Sequence, residues 1–265
     1  MTVNADNSVP RSEAKIDAHT NNVDARSLAG LTIAISPRRI CQTLAVLVLG
    51  IVIMGLIANI VIYNVAPSTD HAIAKLMNRF DLGHEPSIPS WYSSIALLFA
   101  SALLGLIAHV EKLAKSADRS RWLLLSVVFM FLALDEAVMI HEMADAPMQQ
   151  WLNTGGLLYF AWVIPYSLLV LALGAYLLPF LLRLEPTTRR LFVVAGVMFV
   201  GGAIGVESIE GVIVDRYGVE GGFRSMQLTF AQALEESLEM FAVVIFIYAL
   251  LDHLKRTVGE LRLAS

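Results

Sequence analysis

The chain has one cysteine, Cys41, so it has no disulfide framework and no thiolate metal site. No short apolar run with a small-residue cleavage site precedes the first hydrophobic segment, so an uncleaved signal anchor is expected. No nucleotide-binding or haem motif is present, and the short basic runs do not make a nucleic-acid surface. Charged residues amount to 16% against 57% hydrophobic, and the mean hydropathy is +0.66. That balance excludes an ordinary soluble domain and fits a multi-pass membrane protein. The sharpest scarcity is local: three long hydrophobic segments contain no lysine or arginine, yet hold eight carboxylates. They are Asp135, Glu136 and Glu142 in WLLLSVVFMFLALDEAVMIHE, Glu207 and Glu210 in LFVVAGVMFVGGAIGVESIE, and Glu235, Glu236 and Glu239 in LTFAQALEESLEMFAVVIF.

Six apolar stretches reach the ~20 residues that a bilayer crossing needs, at roughly 41–64, 91–110, 122–144, 157–182, 191–213 and 227–251. The expected fold is an all-α integral membrane protein with six transmembrane helices over 38–256. A polar, disordered tail (1–37) precedes them and a short tail (257–265) follows. Twelve basic residues flank one set of ends, from Arg38 and Arg39 through Lys112, Arg121, Arg183 and Arg190 to Arg262. The opposite ends carry only Lys75, Arg79, Arg216 and Arg224. The positive-inside rule therefore predicts that both termini are cytoplasmic, with Trp91, Trp151 and Tyr217 at the other interface.

An ionised side chain inside a bilayer costs about 2.5–3.5 kcal/mol on insertion scales, so eight together need cations or protons. Helical geometry tests whether they can meet. Gln232, Glu235, Glu236 and Glu239 fall within one arc of about 100°. Glu207 and Glu210 lie one above the other, with Gly201 and Gly205 roughly opposite as a small-residue packing face. On one continuous third helix Asp135 and Glu142 nearly superimpose, His141 stands beside them, and Glu136 points away. The acids of the three helices then share one depth, in the outer half of the membrane.

Oxygen-rich ligation with one imidazole suits iron, manganese or calcium better than copper or structural zinc, and one or two iron or manganese ions are expected. Asp135, His141, Glu142, Glu207 and Glu236 are the expected metal ligands, with Glu210, Glu235 and Glu239 as bridging or proton-transfer carboxylates. Di-iron and di-manganese bundles are the nearest chemical comparison, although their Glu-x-x-His pairs are missing here. The expected activity is an oxidoreductase acting on a lipid-soluble substrate. The alternative is a cation or proton-coupled transporter using the same acids; an unwound helix near Gly201–Gly205 would favour it, and a closed apolar floor would favour the enzyme. In a purely structural role the acids would bond to one another and to Gln232, Ser208 and Ser237. Residues 65–90 read as a solvated external loop, with Asp70, His71, Asp81, His84 and Glu85 as secondary candidates. Tyr159, Trp162 and Tyr166 read as core or interface aromatics. A third reading is a membrane subunit whose acids, facing lipid or another chain, serve assembly with a protein partner that the sequence does not identify.

The segment LDEAVMIHE, taken with the later LEESLEM, resembles uncharacterised bacterial multi-pass membrane proteins that carry an LDE-x4-HE helix. The resemblance covers the third and sixth spans; the expected location of the chain is the bacterial inner (plasma) membrane. The resemblance implies that Asp135, Glu136, His141, Glu142, Glu235, Glu236 and Glu239 belong to one recurring site. It carries no activity.

Overall fold

Each long apolar run becomes a helix, because only a helix satisfies its backbone groups within the segment. The computed structural model describes residues 36–64, 71–222 and 225–258, which are helical apart from short connections. The expectations for the two tails and for Asp70 fall almost wholly outside the described residues, as does the side chain of His71. The helices are α1 (Pro37–Asn64), α2 (His71–Met77), α3 (Ile88–Leu113), α4 (Arg119–Val138) and α5 (Ile140–Leu152). They continue as α6 (Val163–Arg183), α7 (Pro186–Val200), α8 (Glu207–Gly222) and α9 (Met226–Val258). A π-helical turn, Gly201–Val206, joins α7 to α8 without a gap. Five helices are long and apolar enough to cross a membrane, or six if α4 and α5 count as one bent span. Residues Pro37–Leu254 form one unit; Ser36 and residues 255–258 are the described part of another.

Local sequence sets the helix starts. The Ser90 N–H donates to Ser87 Oγ at 3.3 Å and the Ser87 N–H to Ser90 Oγ at 2.9 Å, closing a reciprocal cap on α3. Glu185 accepts from the Thr187 and Thr188 N–H groups, both at 3.0 Å, and Pro186 fills the first position of α7. Serines join α3 to α4: Ser101 Oγ donates to the Ser126 carbonyl at 2.7 Å and Ser126 Oγ to the Ser101 carbonyl at 2.9 Å. Ser94 Oγ adds a third bond, to the Ala133 carbonyl at 2.7 Å. Such bonds hold apolar helices together where burial alone gives little preference for contact.

The third span departs from the expected continuous helix. It breaks at Met139, which adopts a left-handed conformation (φ 55°, ψ 49°), and α5 leaves at 77° to α4. Asp135 explains the break. Its Oδ1 accepts the His141 N–H at 2.9 Å, satisfying a donor at the start of α5. A left-handed non-glycine residue costs of order 1–3 kcal/mol, and such residues gather at functional sites. Asp135 and Glu142 therefore do not superimpose on one helix.

At the other end of the bundle, rings close the centre. Trp122, 1% exposed, packs edge-on against Phe180 (5.1 Å) and Phe192 (5.9 Å) and stacks on His253 (5.0 Å). Phe246 meets Phe129 at 4.5 Å and Phe192 at 4.6 Å. On α9, Phe246 follows Glu239 by seven residues, about 10 Å along the axis.

Candidate metal centre

Chain direction brings the acids to one end of the bundle: the last turn of α4, the start of α5, the start of α8 and the first half of α9. Among the described residues three groups of potential ligands form there, each with its ligand atoms within 4.8 Å of one another. Glu85, His141 and Glu142 form the first, Glu85, Glu136 and Glu236 the second, and Glu207, Glu210 and Glu235 the third. Glu239 belongs to none of them. Its stem lies against α7–α8, where a Cβ on Gly202 would stand 3.0 Å from the Glu239 Cγ.

Glu85 is the residue that sequence reasoning placed in a solvated loop. The connection Asp81–Ser87 folds inward because Leu82 is buried and because Gly83 presses on Gln232, leaving no room for a side chain. The Gly83 N–H also donates to Asp81 Oδ1 at 3.1 Å. Glu85 is thus half-buried, and burial pushes its carboxyl up to about 7; His141 offsets part of that rise, while Glu142, Asp135 and Glu207 add to it. Its Oε2 has no hydrogen-bond partner. His84 stays exposed, as a solvated loop requires.

Glu136 reverses its expected direction and joins Glu85 and Glu236, because the end of α4 packs its Glu136 side toward α9. Asp135 takes a different part from the expected ligand. It is 6% exposed, and its oxygens are engaged by the His141 N–H, the His141 ring (Nδ1 at 3.3 Å) and the Tyr166 hydroxyl (3.0 Å). A carboxylate on Nδ1 fixes a histidine's ring and tautomer and leaves Nε2 as the donor nitrogen. Asp135 therefore positions His141.

Trp162 is buried in the core as expected, at 7% exposure, and both it and Tyr166 also bond to acids of the cluster. Trp162 Nε1 donates to Glu207 Oε1 at 3.1 Å, and its ring lies 4.9 Å from the His141 ring. Tyr166, in the first turn of α6, donates its hydroxyl to Asp135 Oδ2 at 3.0 Å. Their spacing of four residues was a signal that both face one way. Tyr159 packs edge-on against Phe160, with ring centroids 5.2 Å apart.

The packing face of the fifth span also differs from expectation. Cβ atoms added at Gly201 or Gly205 would meet nothing within 4 Å, whereas one at Gly202 would lie 3.0 Å from the Glu235 carbonyl. The wider π turn rotates Gly202 onto α9, so packing and carboxylates share one side. Ser208 and Ser237 bond instead to carbonyls of their own helices, Ile204 and Ala233. The acids bond to one another instead, Glu207 and Glu210 each to Glu235. Glu210, 3% exposed, keeps Oε1 without a partner.

No curated protein and no solved structure matches the chain. A family match extends over residues 38–254, almost the whole helical bundle, and its description is a domain of unknown function, DUF8692. The chain belongs to that family.

Proposed function

We propose that the protein is an integral-membrane metalloprotein holding two iron or manganese ions. One sits at Glu85, Glu136 and Glu236, the other at Glu207, Glu210 and Glu235. The observation that carries this reading is the convergence of these groups around oxygens with no protein partner, at Glu85 and Glu210. Buried polar atoms nearly always find a partner, so an oxygen without one calls for a ligand. All-carboxylate groups beside a single imidazole suit hard divalent cations. Glu239, one turn along α9, is placed to receive or release a proton.

An oxidoreductase acting on a lipid-soluble substrate fits better than transport. The rings of Phe129, Phe192 and Phe246 lie below the acids as an apolar floor. The π turn widens the helix at Gly201–Val206 without unwinding it. A conducting path would need polar lining through that floor. The concentration of lysine and arginine at the floor end supports cytoplasmic termini, an acid site in the outer half and a bacterial plasma membrane.

Elemental mass spectrometry of the detergent-purified chain tests the reading, beside a Glu207→Gln, Glu236→Gln double variant. Near-integral iron or manganese that disappears in the variant is expected. Metal-free protein from every growth condition, with cation flux in liposomes, would instead establish the transporter.

A further inference from the structure

Exposure falls stepwise through the three ligand groups. The first includes the exposed Glu142, the second is half-buried throughout, and the third contains Glu210 at 3% exposure. The groups are also linked. Glu85 belongs to the first and second, while consecutive residues of α9, Glu236 and Glu235, connect the second to the third.

Resting on the metalloprotein reading, we propose that the three groups form an inward loading path for a divalent transition cation. His141 and Glu142 capture the ion at the mouth, Glu85 hands it to Glu136 and Glu236, and the buried Glu207–Glu210–Glu235 group fills last. Each element has a geometric reason. Glu142 is the one exposed acid among the three groups, and it sits at the start of α5, which lies across the end of the bundle at 77° to α4. His141 is pre-oriented by Asp135, so capture needs no rotation of the ring. Glu85 has two oxygens for two neighbouring groups, and its partnerless Oε2 is free to take the ion as a ligand on the outer side lets go. Every transfer forms one metal–oxygen bond as another opens; no electron moves, and the ion sheds bound water as it passes to less exposed groups. The path ends at the third group, where Glu210, 3% exposed, has a partnerless Oε1.

The test is manganese(II) uptake by the metal-free full-length chain in detergent, followed by loss of the free-ion resonance after rapid mixing. Final manganese content is then measured by mass spectrometry. Clefts lined by one sign of charge raise cation on-rates, so Glu142→Gln is expected to load about tenfold more slowly and reach the wild-type content. Glu142→Asp should recover most of the rate, as a charge at the mouth requires. Glu210→Gln should start at the wild-type rate and finish with less manganese. Glu142→Gln loading as fast as wild type, or finishing with less metal, overturns the path while leaving the metalloprotein reading standing. A wild-type chain that takes up no manganese overturns both.

Discussion

The two ends of the helical bundle are built from the same helices on opposite terms. At one end α4 contributes Trp122 and Phe129 and α9 contributes Phe246, and these rings pack face and edge with Phe180 and Phe192. At the other end α4 contributes Asp135 and Glu136 and α9 contributes Glu235 and Glu236, with partnerless oxygens and a left-handed residue nearby. At the aromatic end the large rings each have a complementary ring beside them, although Arg121 Nε lacks a hydrogen-bond partner there and Lys115 is left-handed too. The acidic end breaks local rules in several ways at once, and natural sequences tend to do so where function demands it. Close ring packing thus gathers at one end and the ligand groups at the other.

The strongest way to break this division is to hollow out the aromatic end. Truncating a buried Trp or Phe to Ala costs about 3–5 kcal/mol, and Trp122→Ala should fall in that range. Thermal unfolding in detergent measures the loss. Any protein that remains folded should keep wild-type metal content, because Trp122 lies on α4 fourteen residues before Glu136, about 21 Å along the axis. Loss of metal in proportion to stability would show that the ends are not separate.

A smaller effect is expected from Asp135→Ala at the acidic end. It leaves the His141 N–H and the Tyr166 hydroxyl without their acceptor. A buried group left unsatisfied costs about 1–3 kcal/mol. Hydrogen exchange should localise the loosening to the α4–α5 break, with the Trp122 cluster still protected. Uniform loosening would count against Asp135 as the local fastener.

pH gives a third contrast, confined to the connection before α3. Glu85 is held above its ordinary value of 4.5, at about 7, chiefly by burial. A group with a raised folded-state pKa stabilises the fold fully below its unfolded pKa and loses that contribution as pH rises through the folded value. The metal-free protein should therefore become less heat-stable between about pH 4.5 and pH 7. Bound cation should reverse the slope, since a ligated carboxylate must be ionised. Glu85→Gln should flatten the metal-free profile, and an unchanged profile would remove Glu85 from the account.

Much of the bundle was legible in the sequence, because long apolar runs leave the backbone only one economical solution. The acids of α8 and α9 were legible for the same reason, since 3.6-residue periodicity fixes which side chains share a face. Periodicity failed where the helix itself changed. An ideal rotation assigned Glu136 outward and stacked Glu142 on Asp135, because nothing in hydropathy marks Met139 as left-handed. Only the capping carboxylate six residues before His141 hinted at a new helix start. Glu85 was missed for a different reason. Its inward turn depends on Leu82 and on the missing side chain of Gly83, which are contacts between distant parts of the chain.

The smallest predicted effect separates two glycines that a straight helix would have assigned the other way round. In a regular α-helix Gly201 and Gly205 form the packing stripe, and Gly202 lies off it. Across the π turn Gly202 instead faces the Glu235 carbonyl, and Gly205 faces open space. Gly205→Ala should then stabilise the chain by about 0.4–1 kcal/mol, the usual gain where the backbone already suits an L residue. Gly202→Ala should destabilise it, because its Cβ would stand 3.0 Å from backbone that cannot rotate aside. Paired thermal melts decide the matter by sign rather than size. Equal stabilisation by both would mean that α9 does not approach the π turn closely, and that the third ligand group is looser than its spacing implies.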